Sequence, residues 1–143
     1  MKIEFDINEK YQESKIIICT NNINEEIQKI IKRINNNKIY GYKDEMIFIL
    51  DENKIETIYS ENRKVFIRYE NGEIFETKKR IYEFEENLSD KFIRISNSEI
   101  VNFDKVQSLD FKIFGTIILN FYTECKTYVS RRYVKKIKEY LKI

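Results

Sequence analysis

Apolar residues gather in short strand-like runs along most of this chain, some alternating with polar neighbours and some continuous, and three stretches shift to the i, i+3, i+4 spacing of a helix. Ile3, Phe5 and Ile7 alternate with charged neighbours and predict a strand over residues 1–8. Lys15-Ile16-Ile17-Ile18-Cys19-Thr20 predicts a second strand, buried on both faces, with Cys19 in the core. Asn24 can cap a helix that carries Glu25 and Glu26 in its first turn, where the helix dipole favours anions. Ile23, Ile27, Ile30, Ile31 and Ile34 form one stripe of that helix, Lys32 and Arg33 suit its end, and Asn35-Asn36-Asn37 stops it. Residues 1–38 therefore read as a small N-terminal β-β-α extension, a dimerisation or docking element too small to fold alone.

From residue 39 to 143 the pattern predicts a mostly β (α+β) domain with short helices. Ile39–Tyr42, Met46–Leu50 and Ile55–Tyr59 are apolar runs separated by charged turns. Val65–Tyr69 and Ile74–Thr77 flank Glu70-Asn71-Gly72-Glu73, and Asn-Gly is a strong hairpin signal. Ile81, Phe84 and Leu88 place a short helix at about 80–88. The strand Phe92–Ile95 then breaks at Ser96-Asn97-Ser98 and returns to Ile100-Val101. Further strands are predicted near Lys105–Leu109, Thr116–Tyr122 and Lys126–Val129, with Gly115 in a turn. A closing helix carries the stripe Val134, Ile137 and Leu141. No proline marks a hinge or linker.

Composition supports one ordinary domain with an appendage: 143 residues, 42% hydrophobic and 14% aromatic, enough for a core. Heavy use of Ile, Lys and Asn fits an AT-rich bacterial gene. No apolar run reaches the length of a membrane span, which argues against direct membrane insertion, and Met1-Lys2-Ile3-Glu4 opens no signal peptide. Two cysteines without a secretory leader read as reduced thiols in a cytoplasmic protein. The net charge of +2 hides a gradient: residues 1–44 carry +1, residues 45–90 carry −5, and residues 91–143 carry +6. From Lys126 onward seven basic residues face only Glu139, so a polyanion would meet this end first.

Two basic triplets sharpen that reading. Lys78-Lys79-Arg80 and Ser130-Arg131-Arg132 each fall at the predicted start of a helix, where cations oppose the dipole. Free backbone N–H groups beside Lys and Arg make phosphate sites, although the same charges could simply face water. Arg63-Lys64 lies in the polar gap between two strands, from which an arginine can reach a groove and read guanine O6 and N7. Asn97, between Ser96 and Ser98, can form an Asx turn, donate to phosphate or pair with adenine.

FIRISNSEIVN, the upstream TKKRIYEFEENL and the terminal YVSRRYVKKIKEYLKI, with their spacing, resemble the LytTR family of bacterial DNA-binding domains. The resemblance covers residues from about 40 to 143. It implies a mostly β body that presents three loops to double-stranded DNA, the outer two entering successive major grooves. By motif the first loop is Ser60-Glu61-Asn62-Arg63-Lys64, the second Ser96-Asn97-Ser98, and the third Ser130-Arg131-Arg132-Tyr133. On that basis Arg63 and Arg132 would contact bases and Asn97 would anchor. Lys78, Lys79, Arg131 and Lys135 would hold phosphates, with Lys64, Arg80, Ser96 and Ser130 beside them. It further implies binding to paired promoter repeats as a homodimer, and a possible membrane-protein inhibitor. The family's common receiver domain has no room here, so Asp6 and Asp51 read as turn or surface carboxylates. A first-loop position that is often histidine in relatives is Arg63 in this sequence.

Chemistry of other kinds finds little support. Without histidine there is no Ser-His or Cys-His pair and no imidazole ligand. The two cysteines form no CxxC site, and three isolated glycines build no phosphate-cradling loop. No enzyme activity and no cofactor are expected, and Cys125 reads as a turn thiol. Two binding readings stay open beside duplex DNA. Ten Tyr and ten Phe could stack RNA or single-stranded bases, and the basic end could dock an acidic protein.

Overall fold

The computed structural model describes residues 1–35 and 38–143. One helix, α1 (Glu25–Asn35), precedes ten strands, which are interrupted by α2 (Ile81–Asn87) and closed by α3 (Val134–Leu141). The strands are β1 (Ile39–Lys43), β2 (Met46–Leu50), β3 (Ile55–Glu61), β4 (Lys64–Tyr69) and β5 (Ile74–Thr77) before α2. After it come β6 (Phe92–Ser96), β7 (Glu99–Asn102), β8 (Val106–Asp110), β9 (Ile117–Phe121) and β10 (Lys126–Val129). Each expected strand from Ile39 onward forms, within one or two residues of where the period-two pattern put it.

Seven strands pair antiparallel in the order β2-β1-β5-β4-β3-β7-β6, and three more form a second sheet, β10-β9-β8. Two cores result. Ile55, Ile58, Ile67, Phe75 and Ile100 pack under the large sheet against Ile81 and Phe84 of α2. Ile95, Val101, Ile117, Leu119, Phe121 and Val129 pack around Ile137 of α3. The β6–β7 hairpin is the wall between them. Ile100 faces one core and Val101 the other, because successive residues of a strand point to opposite faces. This is why both runs, FIRI and EIVN, are apolar without strict alternation. Asn102 ends the wall fully buried, donating to the Ile55 carbonyl (2.8 Å) and accepting from the Asp104 N–H (3.0 Å).

Gly41 of β1 lies against the side chains of Phe75 and Leu50. A Cβ there would sit 2.7 Å from Phe75 Cβ and 2.8 Å from Leu50 Cδ1, so no side chain fits without displacement.

The N-terminal expectation needs correction. No strand forms over residues 1–8 or 15–20; Ile3, Phe5 and Ile7 are 75%, 83% and 91% exposed. Ile16 and Ile17 are exposed as well, and Cys19 lies at the surface rather than in a core. Alternation reports an amphipathic segment, but a strand also needs a neighbour to receive its backbone hydrogen bonds. The large sheet ends at β2, and among the described residues no segment pairs outside it. The helix of the expected β-β-α unit does form. Asn24 Oδ1 accepts from the Ile27 N–H at 3.0 Å, and Ile27 is buried. The expected stop at Asn36-Asn37 lies outside the described residues.

Candidate nucleic-acid interface

Three connections carry the turn residues among the candidates, and each follows from its local sequence. Between β3 and β4 the chain turns in two residues, Asn62 and Arg63, with φ of 50° and 64°. Both positive values are the requirement of a tight primed hairpin turn. The expected five-residue loop is thus shorter, and Arg63 stands at its tip, exposed. Lys64 belongs to β4 instead and pairs with Glu76 at 3.8 Å.

Between β6 and β7 the turn is Asn97-Ser98, and the Ser98 N–H donates to Ser96 Oγ at 3.2 Å. Arg94 stiffens this turn from behind. Its guanidinium donates to the carbonyls of Ser96 (3.0 Å) and Asn97 (2.7 Å) and to Glu85 of α2 (2.9 Å). After β10, Ser130 leads into a 3-10 turn, Arg131–Tyr133, that runs directly into α3.

The three connections are tied together. The Ser60 N–H donates to the Ser98 carbonyl at 2.8 Å, which joins the first to the second. The Ser130 N–H donates to the Ile95 carbonyl at 2.9 Å, and Tyr133 Oη donates to Asn97 Oδ1 at 3.0 Å, which joins the third. Asn97 is therefore held by Tyr133 through its side chain and by Arg94 through its backbone. Lys136 of α3 approaches the same Glu85 that Arg94 binds, at 3.7 Å.

Around this cluster, cations are left unpaired. Among the described residues Arg63, Lys78, Lys79, Arg80, Arg131, Arg132 and Lys135 form no ion pair. Arg63, Arg80 and Arg94 line one shallow groove with Tyr82. Lys78 diverges from it and stacks over the Tyr42 ring at 4.8 Å. Arg131 and Lys135 line a second groove with Phe114, Gly115 and Lys138. The α2 start is less open to an anion than the triplet suggested, because the Glu83 carboxylate accepts the Arg80 N–H at 3.3 Å. Tyr59, next to Ser60, has its phenol raised above the ordinary value by burial, partly offset by Arg68.

Sequence reasoning missed Arg94, Tyr133 as an anchor, and Glu99. An arginine inside an apolar strand was a usable signal for the first, since a buried guanidinium must find acceptors. No local pattern marks the other two. No group of three or more carboxylate or thiol side chains among the described residues is arranged to hold a metal. No described helix is long and apolar enough to cross a membrane.

The fold is thus a β body whose linked turns display arginines and lysines that form no ion pair among the described residues. The LytTr DNA-binding domain family matches residues 45–142, and the chain belongs to that family. A relative from Staphylococcus aureus strain MSSA476, described as an uncharacterized HTH-type transcriptional regulator, is 37% identical over 100% of this chain and 99% of its own length. One from strain MRSA252 with the same description is 36% identical over the same shares. Among solved structures, the LytTr DNA-binding domain of a Bacillus cereus protein superimposes with a TM-score of 0.71 at 20% identity. It covers 74% of this chain and 97% of that domain, and it shows the fold. Although the relatives' description cites a helix-turn-helix, five strands separate each helix from the next in this chain among the described residues.

Proposed function

We propose that this protein is a sequence-specific double-stranded DNA-binding transcriptional regulator that reads promoter repeats through its three tied turns. The observation that carries this is the hydrogen-bonded cluster of Ser60, Asn97, Ser98, Ser130 and Tyr133, flanked by unpaired Arg63 and Arg132. Rigidly held turns can present side chains to base edges in a fixed register. Arg63 and Arg132 take the base-reading role, since a guanidinium bonds guanine O6 and N7 together. Asn97 anchors the middle turn, with Ser96 and Ser130 beside it. Lys64, Lys78, Lys79, Arg80, Arg131 and Lys135 supply sequence-independent phosphate contacts. On a duplex the outer turns would enter successive major grooves, about one helical turn apart.

Residues 1–38 would join two copies, because Phe5 and isoleucines such as Ile3, Ile7, Ile16 and Ile17 stand exposed to solvent. A truncation beginning at Lys38 that stays dimeric on a calibrated column sinks that role. A regulator of this kind would work in the cytoplasm, where the chromosome lies.

Single-strand or RNA binding is less well supported. Many aromatics pair inside the fold, as Phe48 with Phe75, Tyr59 with Phe66, and Tyr69 with Phe75. Guanine methylation interference on a bound duplex tests the geometry. Two interfering patches about one turn apart are expected; uniform or absent interference rejects major-groove reading.

A further inference from the structure

Glu99 opens β7 immediately after the second turn, half-buried, and both of its carboxylate oxygens are engaged. One accepts from Thr57 Oγ1 of β3 at 2.7 Å, and the other from Thr127 Oγ1 of β10 at 2.6 Å. Thr57 is fully buried, and its single hydroxyl proton is shared with the Ile100 carbonyl at 3.0 Å. These three strands are the ones that deliver the three turns. β3 runs into Asn62-Arg63, β7 leaves Asn97-Ser98, and β10 runs into Ser130–Arg132. β3 and β7 share the large sheet, whereas β10 belongs to the other one. One carboxylate therefore bridges the two sheets just behind the interface.

We propose that Glu99 is the positioning residue that fixes the spacing of the three turns, and so raises sequence discrimination without touching DNA. The proposal rests on the DNA-reading function given above. Backbone bonds already hold the first turn to the second, but the third belongs to a different sheet. Near the turns its register against the others is held by the Ser130–Ile95 bond, the Tyr133–Asn97 bond and the Glu99 bridge, and from the start of β3 by the bond of Thr123 to Glu56. Base contacts require donor and acceptor to meet within a few tenths of an ångström, while phosphate contacts by flexible lysines tolerate a shift. Loss of the bridge should accordingly weaken base reading and leave phosphate binding in place. Charge-assisted hydrogen bonds of this kind are stronger than neutral ones, which makes the bridge stiff.

The test compares wild type, Glu99→Ala, Glu99→Gln and Thr127→Val. Each is titrated onto an operator duplex selected with wild type and onto a random duplex, over a salt series. The assay temperature is one at which unfolding curves show each variant folded. Glu99→Ala is expected to lose about tenfold in operator affinity, the worth of one charge-assisted bond, while random-duplex affinity and salt slope stay at wild-type values. Glu99→Gln, which keeps one acceptor oxygen, should recover part of the loss. Thr127→Val, which keeps the shape and removes the hydroxyl, should lose discrimination in the same direction. A Glu99→Ala protein with an unchanged ratio of operator to random affinity overturns the proposal, as does a parallel fall in both affinities. If Glu99→Ala does not fold, Thr127→Val decides: an unchanged ratio there overturns the proposal equally. Wild type that prefers no sequence overturns the DNA-reading function itself, a result distinct from these.

Discussion

Arg63 is held in a backbone conformation that an arginine disfavours, and replacing it by glycine should separate stability from function. Its φ of 64°, beside the 50° of Asn62, places both turn residues in the left-handed region. For a residue with a Cβ that region costs about 1–2 kcal/mol, while asparagine tolerates it better. Glycine removes the strain but adds about 0.5–1 kcal/mol of backbone entropy to the unfolded chain. Arg63 makes no ion pair among the described residues, so no such contact is lost. Arg63→Gly should therefore stabilise the fold by roughly 0–1.5 kcal/mol, read as a rise in the urea midpoint. If the guanidinium reads a base, the same variant loses about 1–3 kcal/mol in binding to its operator, seen by fluorescence anisotropy. Asn62→Gly is the control: it relaxes the same turn, keeps the guanidinium and should bind as wild type does. A destabilised Arg63→Gly would refute the strain argument. A stabilised variant that binds its operator normally would refute the base-reading role.

Two further outcomes follow from packing. Gly41→Ala must place its Cβ 2.7 Å from Phe75 Cβ, and overpacking of this kind should cost about 1–3 kcal/mol in denaturant unfolding, with the fold retained. Glu56 is 1% exposed and accepts from Arg68 Nη2 at 2.9 Å and Thr123 Oγ1 at 2.8 Å, joining β3 and β4 to the β9–β10 turn. Glu56→Ala should destabilise by about 2–3 kcal/mol, below the full value for a buried pair because the Arg68 side chain is 23% exposed. Unchanged unfolding would show that the pair contributes nothing.

Most of the fold was legible because period-two alternation and turn residues are local signals, as with Asn71-Gly72 between β4 and β5. The N-terminal strands were misread for the complementary reason. Ile3, Phe5 and Ile7 have the pattern of a strand, but pairing depends on a neighbour that no local pattern supplies. The candidate residues stood out in the sequence where cations fall at a predicted helix start, as in the Lys78–Arg80 and Ser130–Arg132 triplets, whereas Arg63 stood out only as a basic residue in a polar gap between strands. What ties those places together was not legible. Tyr133 meets Asn97 across 36 positions, and Glu99 meets Thr57 across 42. Such contacts exist only once two sheets are docked. Lys64 illustrates the reverse error, since it lies in β4, where Glu76 of the neighbouring β5 comes within 3.8 Å of its ammonium, a contact that a loop assignment hides.

Sequence-specific reading of duplex DNA is put to the test by affinity selection from random-sequence duplexes, with wild type and Arg132→Ala compared across a salt series. Enrichment of a repeated motif about one helical turn apart, blunted in the variant, is the predicted result. Weak, salt-sensitive binding that enriches no motif in either protein would contradict it.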